Sequence, residues 1–123
     1  MPNNIKNSTI IFKADGIVLE GKKKGSELGF PTANITGDDS VPAGIYAGEV
    51  FWKDTAYPAA IYKGDTKDAI EAHLLDFSDN LYGETITIIA YQKVRDSKIF
   101  SNREELIAAI GKDIEDIKKC LQE

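Results

Sequence analysis

The stretch ITIIAYQKV, residues 86–94, carries the clearest strand pattern in the chain. From residue 85 onward an apolar set of side chains, Ile86, Ile88 and Ala90, alternates with a second set, Thr85, Thr87 and Tyr91. An apolar set that recurs at every second residue predicts a strand with one face buried in a sheet. We therefore expect the chain to be built on a half-buried β-sheet.

Several segments before this strand have the same character and are separated by short turns. Residues 8–20 are rich in β-branched side chains and predict one or two strands, with a break near Asp15-Gly16. Further strands are predicted at residues 45–52, 57–62 and 69–77. Strands at this spacing, joined by turns that contain glycine and aspartate, are typical of an antiparallel barrel.

The C-terminal segment has helical rather than alternating periodicity. Ser101-Asn102-Arg103-Glu104 matches a capping box, in which a serine hydroxyl and a glutamate satisfy the first free amides of a helix. Apolar residues then repeat at helical spacing, at Leu106, Ile107, Ile110, Ile114, Ile117 and Leu121. The acidic residues are predicted to form a solvated face, made of Glu104, Glu105, Asp113, Glu115 and Asp116. We predict a helix over residues 101–122 in a single domain over 1–123, with residues 1–7 as a flexible tail.

Composition excludes several classes of function. The chain has 123 residues, a net charge of -5, one cysteine (Cys120) and one histidine (His73). It therefore cannot form an intramolecular disulfide, a cysteine-rich zinc site or a multi-histidine metal site. The acidic balance argues against nucleic-acid binding, and no apolar run approaches the roughly 20 residues of a membrane span. We expect a cytoplasmic monomer with no nucleic-acid or membrane partner.

The sequence GKKKG, residues 21–25, is a basic turn whose amides and ammonium groups could contact a phosphate. Together with Gly16 it matches most of a P-loop pattern. Lys23, however, occupies the position that needs a serine or threonine, and the residues between the glycines are strand-like. We therefore reject a P-loop, whereas phosphate contact by the turn stays open.

The next sequence, LGFPTAN at residues 28–34, contains two neutral oxygen-bearing side chains, Thr32 and Asn34. In extended backbone, residues two apart point to the same side. Magnesium accepts a few protein oxygens of this kind while it keeps waters and nucleotide phosphates. Alternatively, both side chains bond to the backbone of their own loop.

Glu71 shares one face of the predicted strand with His73, and the other face is apolar. A carboxylate on such a strand is a candidate general base for a substrate hydroxyl. The alternative is a glutamate at the rim that faces solvent.

A second group, Arg95, Lys98 and Phe100, precedes the C-terminal helix. It could hold a planar anionic ligand, and Phe100 could equally pack against the helix start as a hydrophobic staple.

Taken together, these residues resemble the riboflavin kinase (flavokinase) family, as in the kinase domain of bacterial bifunctional riboflavin kinase/FAD synthetases. The matching segments run along nearly the whole chain: Gly16-Ile17-Val18 to Gly21, Gly25 to Asn34, Gly44-Ile45-Tyr46, Glu71 to Leu74 with Asp76-Phe77, Leu81-Tyr82-Gly83, Arg95 with Phe100, and Leu106, Ile110 and Asp113. Pro31-Thr32-Ala33-Asn34 is the most specific of them. The resemblance implies a mainly β fold: a six-stranded antiparallel (Greek-key, split) β-barrel with a C-terminal α-helix.

The resemblance also implies an activity, the magnesium-dependent transfer of the γ-phosphoryl group of ATP to the 5′-hydroxyl of riboflavin, which gives FMN and ADP. By the same resemblance, each candidate residue has a role: Thr32 and Asn34 bind magnesium and nucleotide phosphates, Glu71 is the catalytic base, Gly21 and Ser26 belong to the phosphate loop, and Arg95, Lys98 and Phe100 form a flap over the flavin. Ser26 departs from the family, since many members carry arginine or lysine there.

Three alternatives remain at this level. The chain is either a free-standing kinase or a module of a longer bifunctional protein. It could also be a flavin- or FMN-binding module without catalysis, although a pure binder would not need Thr32, Asn34 and Glu71 together. An oligonucleotide-binding barrel is disfavoured, because the chain is acidic and lacks a strand face that combines aromatic and basic residues. The expected partners are therefore small molecules, ATP and riboflavin.

Overall fold

The structure is a computed structural model that describes residues 10–19, 32–37, 41–64, 69–75, 77, 80–96 and 101–121. These ranges contain six strands and one helix: β1 (Phe12–Ile17), β2 (Ala33–Thr36), β3 (Gly44–Trp52), β4 (Thr55–Lys63), β5 (Ala69–Leu74), β6 (Thr85–Arg95) and α1 (Arg103–Leu121). The predicted tail, residues 1–7, lies outside the described residues.

The six strands form one sheet in the order β1-β6-β3-β4-β5-β2, and all hydrogen-bonded neighbours are antiparallel. The two edge strands, β1 and β2, approach each other. Leu19 lies just after β1, and its amide donates to the Asn34 carbonyl oxygen in β2 at 2.7 Å. The sheet is thereby nearly closed into a barrel. The predicted mainly β fold, a six-stranded antiparallel barrel followed by a C-terminal helix, is confirmed.

The interior of the barrel is filled by the alternating side chains of its strands. Ile86, Ile88 and Ala90 of β6 are at most 1% exposed and belong to this core, as the alternation of the sequence predicts. A second apolar cluster lies on the outer face of the sheet, where Ile117 of α1 packs against Ile45 and neighbouring residues. The helix therefore covers part of the outer face of the barrel.

The predicted break near Asp15-Gly16 is wrong, because β1 continues through both residues. Asp15 pairs with Thr87 and also accepts a hydrogen bond from the Thr87 hydroxyl. A Cβ on Gly16 would lie 3.0 Å from Ile35 Cβ in β2, so the glycine lets the two edge strands approach closely. Cross-strand pairing thus outweighs the local preference of Asp-Gly for a turn.

The helix begins at Arg103, directly after an N-cap residue that lies one position later than the predicted Ser101. The Glu105 amide donates to the Asn102 side-chain oxygen at 2.8 Å, so Asn102 and not Ser101 is the N-cap residue. Ser101 donates its hydroxyl to the Glu105 carboxylate at 3.0 Å instead. A capping motif is therefore present, one residue along the chain from where the sequence predicts it.

Two glycine-to-alanine changes are expected to shift stability in opposite directions. A Cβ on Gly48 would lie 2.0 Å from the Ile89 carbonyl oxygen, so Gly48→Ala is expected to cost about 1–3 kcal/mol of unfolding free energy. A Cβ on Gly111 of α1 meets no atom within 4 Å in the described part of the chain, so Gly111→Ala is expected to add about 0.5–1 kcal/mol. Urea unfolding measures both, and equal effects would contradict the close β3–β6 contact.

Candidate functional site

One transverse row of the sheet brings together three of the predicted site residues. Asn34 of β2 pairs with Glu71 of β5, and Glu71 pairs in turn with Tyr62 of β4. The row continues through Ile45 of β3 to Arg95 of β6. Directly paired residues project from the same face of a sheet, with Cβ atoms about 5 Å apart. Glu71 therefore lies between Asn34 and Tyr62.

The face on which this row lies is the outer one. In β5, Ile70, Ala72 and Leu74 are buried in the barrel, whereas Glu71 and His73 alternate with them and are half-buried. Tyr62 and Ile45 belong to the cluster beneath α1. Glu71 therefore lies on the outer face, on the strand next to β4, against which the helix packs, and not inside the barrel.

Two buried polar atoms lie next to Glu71, on the two neighbouring strands. The side-chain oxygen of Asn34 and the hydroxyl of Tyr62 are buried and have no hydrogen-bond partner among the residues that the structure describes. Such a group typically costs about 1–3 kcal/mol when it is left unsatisfied. Since the two atoms flank Glu71 on neighbouring strands, they mark a place where a polar ligand would be stabilised.

The donor set suits a cation that takes few protein ligands. Within the described ranges, no group of three or more His, Cys, Asp or Glu side chains could hold a metal ion. Magnesium instead keeps several waters and substrate phosphates and needs few protein oxygens. The buried side-chain oxygen of Asn34 fits this role, and half-buried Thr32 lies directly before β2, two residues away. The residues present therefore fit magnesium.

At the far end of the row, Arg95 is anchored to the helix. Its guanidinium donates to both carboxylate oxygens of Asp113 at 2.8 Å and to the Asp96 carbonyl oxygen at 3.0 Å. The Asp113 side chain is only 3% exposed. The prediction that Asp113 belongs to a solvated face is therefore wrong. Its spacing from Ile110 and Ile117 places it on the apolar face of the helix, and that signal was available in the sequence.

The surroundings of Tyr62 keep its hydroxyl protonated. Burial is the main cause that raises the pKa of Tyr62 far above its usual range. The negative charge of Asp113 raises this pKa further, as does that of Glu71, while Arg95 opposes them. At neutral pH Tyr62 therefore keeps its phenolic proton and can donate a hydrogen bond.

The structure thus joins Asn34, Glu71 and Arg95 in one row and places Thr32 beside it. The remaining predicted site residues lie outside the described residues, and their roles stay predictions: Gly21, Ser26, Lys98 and Phe100. Sequence reasoning missed Tyr62, because only the register of β4 against β5 sets it beside Glu71.

In the described part of the chain, no helix is long and apolar enough to cross a membrane.

A family model described as riboflavin kinase (flavokinase) matches residues 9–121. A bifunctional riboflavin kinase/FMN adenylyltransferase of Buchnera aphidicola is 34% identical over 119 residues, which cover 88% of this chain but only 38% of that protein. The chain therefore spans well under half the length of this curated relative.

Two solved structures share the fold. A riboflavin kinase from Trypanosoma brucei superposes with a TM-score of 0.70 at 25% identity and covers 94% of this chain and 79% of its own. A Streptococcus pneumoniae structure titled as a macrolide-efflux protein has a TM-score of 0.76 at 26% identity, over 86% of this chain and 38% of its own.

Proposed function

The chain belongs to the riboflavin kinase family, and from this premise we propose that it transfers the γ-phosphoryl group of ATP to the 5′-hydroxyl of riboflavin, giving FMN and ADP. The observation that supports this most directly is the pairing of Asn34 with Glu71, together with the Asn34 side-chain oxygen, which is buried and has no partner among the described residues. A candidate base thereby lies next to a candidate ligand for the nucleotide's metal. The curated relative carries two activities in its name, and the matched family model corresponds to the kinase.

Glu71 acts as the general base in this proposal. Its carboxylate accepts the proton of the 5′-hydroxyl while that oxygen attacks the γ-phosphorus, and the bond from the γ-phosphorus to the oxygen of the leaving ADP breaks. The proton then passes to water. Glu71 is half-buried and lies between Asn34 and Tyr62 of the neighbouring strands, so the sheet fixes the position of its backbone in the row.

Thr32 and Asn34 hold magnesium in this proposal. When bound, the ion would neutralise charge on the nucleotide phosphates, which is a main requirement of phosphoryl transfer. The support comes from Asn34, whose buried side-chain oxygen would gain a partner. Gly21 and Ser26 are proposed to contact the phosphates, and Arg95, Lys98 and Phe100 to cover the flavin.

The direct test incubates the protein with riboflavin, ATP and magnesium and separates the products by liquid chromatography. We expect FMN and ADP to form in equal amounts, and FMN formation to stop when magnesium is chelated. If riboflavin binds but no FMN forms, the kinase proposal is wrong and a non-catalytic flavin-binding module replaces it.

Asn34→Ala is expected to raise the magnesium concentration that gives half-maximal FMN formation, on the order of tenfold, because one oxygen ligand is lost. Thr36→Ala is the matched control, since Thr36 is an exposed residue on the same strand, two positions further along. Its magnesium dependence should equal that of the wild type. An unchanged magnesium requirement in Asn34→Ala would leave Asn34 with a structural role only.

A further inference from the structure

Tyr62 is the buried polar group of the row that the proposed mechanism does not use. We propose that Tyr62 is a substrate-binding residue whose hydroxyl donates a hydrogen bond to a hydroxyl group of the ribityl chain of riboflavin. This inference rests on the proposed function and deepens it, because it assigns the side of Glu71 from which the acceptor substrate approaches.

The first support is the contrast between Tyr62 and the other buried aromatic donors. Tyr46 donates its hydroxyl to the Pro42 carbonyl at 2.7 Å, and Tyr91 donates to Glu49 at 2.8 Å. Half-buried Trp52 donates its indole N–H to Glu84 at 2.9 Å. Only the hydroxyl of Tyr62 is left without a partner within the described ranges. The Tyr62 hydroxyl is therefore the buried aromatic donor of the described residues that a ligand could satisfy.

The second support is position. Tyr62 pairs directly with Glu71, so the two side chains project from neighbouring strands on the same face. A polyol carries hydroxyl groups on successive carbons. A ribityl chain that places its terminal hydroxyl at Glu71 therefore brings other hydroxyls within reach of the adjacent strand. Asn34 lies on the opposite side of Glu71, where the phosphates of the donor nucleotide would be.

The third support is charge. Three charged groups act on the Tyr62 phenol, the carboxylates of Asp113 and Glu71 and the guanidinium of Arg95. Two negative charges and one positive charge leave this end of the row net negative, and Arg95 is already bonded to both oxygens of Asp113. Such surroundings disfavour a phosphate at Tyr62 and suit a neutral hydroxyl acceptor.

The test is Tyr62→Phe, which removes only the hydroxyl. We expect the dissociation constant for riboflavin, measured by quenching of flavin fluorescence, to rise about tenfold, as for the loss of one hydrogen bond. Lumiflavin has the same ring system without the ribityl chain, and its dissociation constant should not change. Tyr57→Phe is the matched control: Tyr57 lies on the same strand and packs against Phe77 with ring centroids 4.9 Å apart. It should bind both ligands as the wild type does.

Each other outcome overturns the inference. Wild-type riboflavin affinity in Tyr62→Phe would mean that the hydroxyl makes no contact with the substrate. An equal loss for riboflavin and lumiflavin would place the contact on the ring. A lower urea midpoint of the ligand-free Tyr62→Phe protein would show a structural partner for the hydroxyl. Failure of the proposed function is distinct from all three, since it is read from the absence of FMN with the wild-type protein.

Discussion

Replacing Glu71 with glutamine is expected to lower kcat for FMN formation by about 10²- to 10⁴-fold, while the dissociation constant for riboflavin stays close to that of the wild type. The amide has nearly the shape of the carboxylate but cannot take the proton of the 5′-hydroxyl. Because Glu71 is half-buried and paired with Asn34 and Tyr62, an amide of the same shape should keep the packing of the row while the proposed base is lost.

The measurement is single-turnover and steady-state FMN formation, with riboflavin binding followed separately by fluorescence. Glu115→Gln is the matched control, since Glu115 is an exposed glutamate of α1 outside the row, and its kcat should equal that of the wild type. A Glu71→Gln protein that turns over at the wild-type rate would remove Glu71 as the base. Loss of riboflavin binding in that variant would assign Glu71 to binding.

The largest expected effect on stability comes from Asp113→Ala. This change leaves the Arg95 guanidinium without the carboxylate that accepts two of its hydrogen bonds at 2.8 Å. Breaking a buried pair by removing one partner costs about 3–5 kcal/mol, and we expect about 3 kcal/mol because the Arg95 side chain is 27% exposed. Urea unfolding followed by circular dichroism measures the loss.

Asp116→Ala is the control for this prediction, because Asp116 accepts from Lys112 at 2.9 Å on the same helix while the Lys112 side chain is 74% exposed. An exposed pair is screened by water, so its loss should be a small part of the Asp113 effect. Equal stabilities of the Asp113 and Asp116 variants would mean that the Arg95–Asp113 pair does not hold the helix to the barrel.

Much of the fold was predictable because it depends on neighbours along the chain. The alternation of Ile86, Ile88 and Ala90 is a local property, and these residues fill the barrel as expected. The apolar repeat of the C-terminal helix is also a local property, and one of its members, Ile117, packs against the sheet. Where local signals competed, the prediction failed. Asp15-Gly16 has turn chemistry, but pairing with β6 keeps it in a strand.

The candidate site was predictable in its residue types and not in its arrangement. Thr32, Asn34, Glu71 and Arg95 were identified from chemistry and from family resemblance. That Asn34 and Tyr62 flank Glu71 follows from the register of three strands, which no local preference encodes. In a sheet, a slip of one residue sends every side chain to the other face, so register decides which groups meet.

What the sequence determines and what the tertiary structure decides therefore differ in how far apart along the chain the interacting residues lie. Periodicity determines the strands and the helix, because it depends on residues close in the chain, and the residue types together with the family resemblance supply only candidates for a base and for oxygen ligands. The register of β4 against β5 decides that Tyr62 lies beside Glu71, and docking of the helix on the barrel decides that Asp113 is buried against Arg95. Each contact joins two different elements, so it forms only when those elements are packed together.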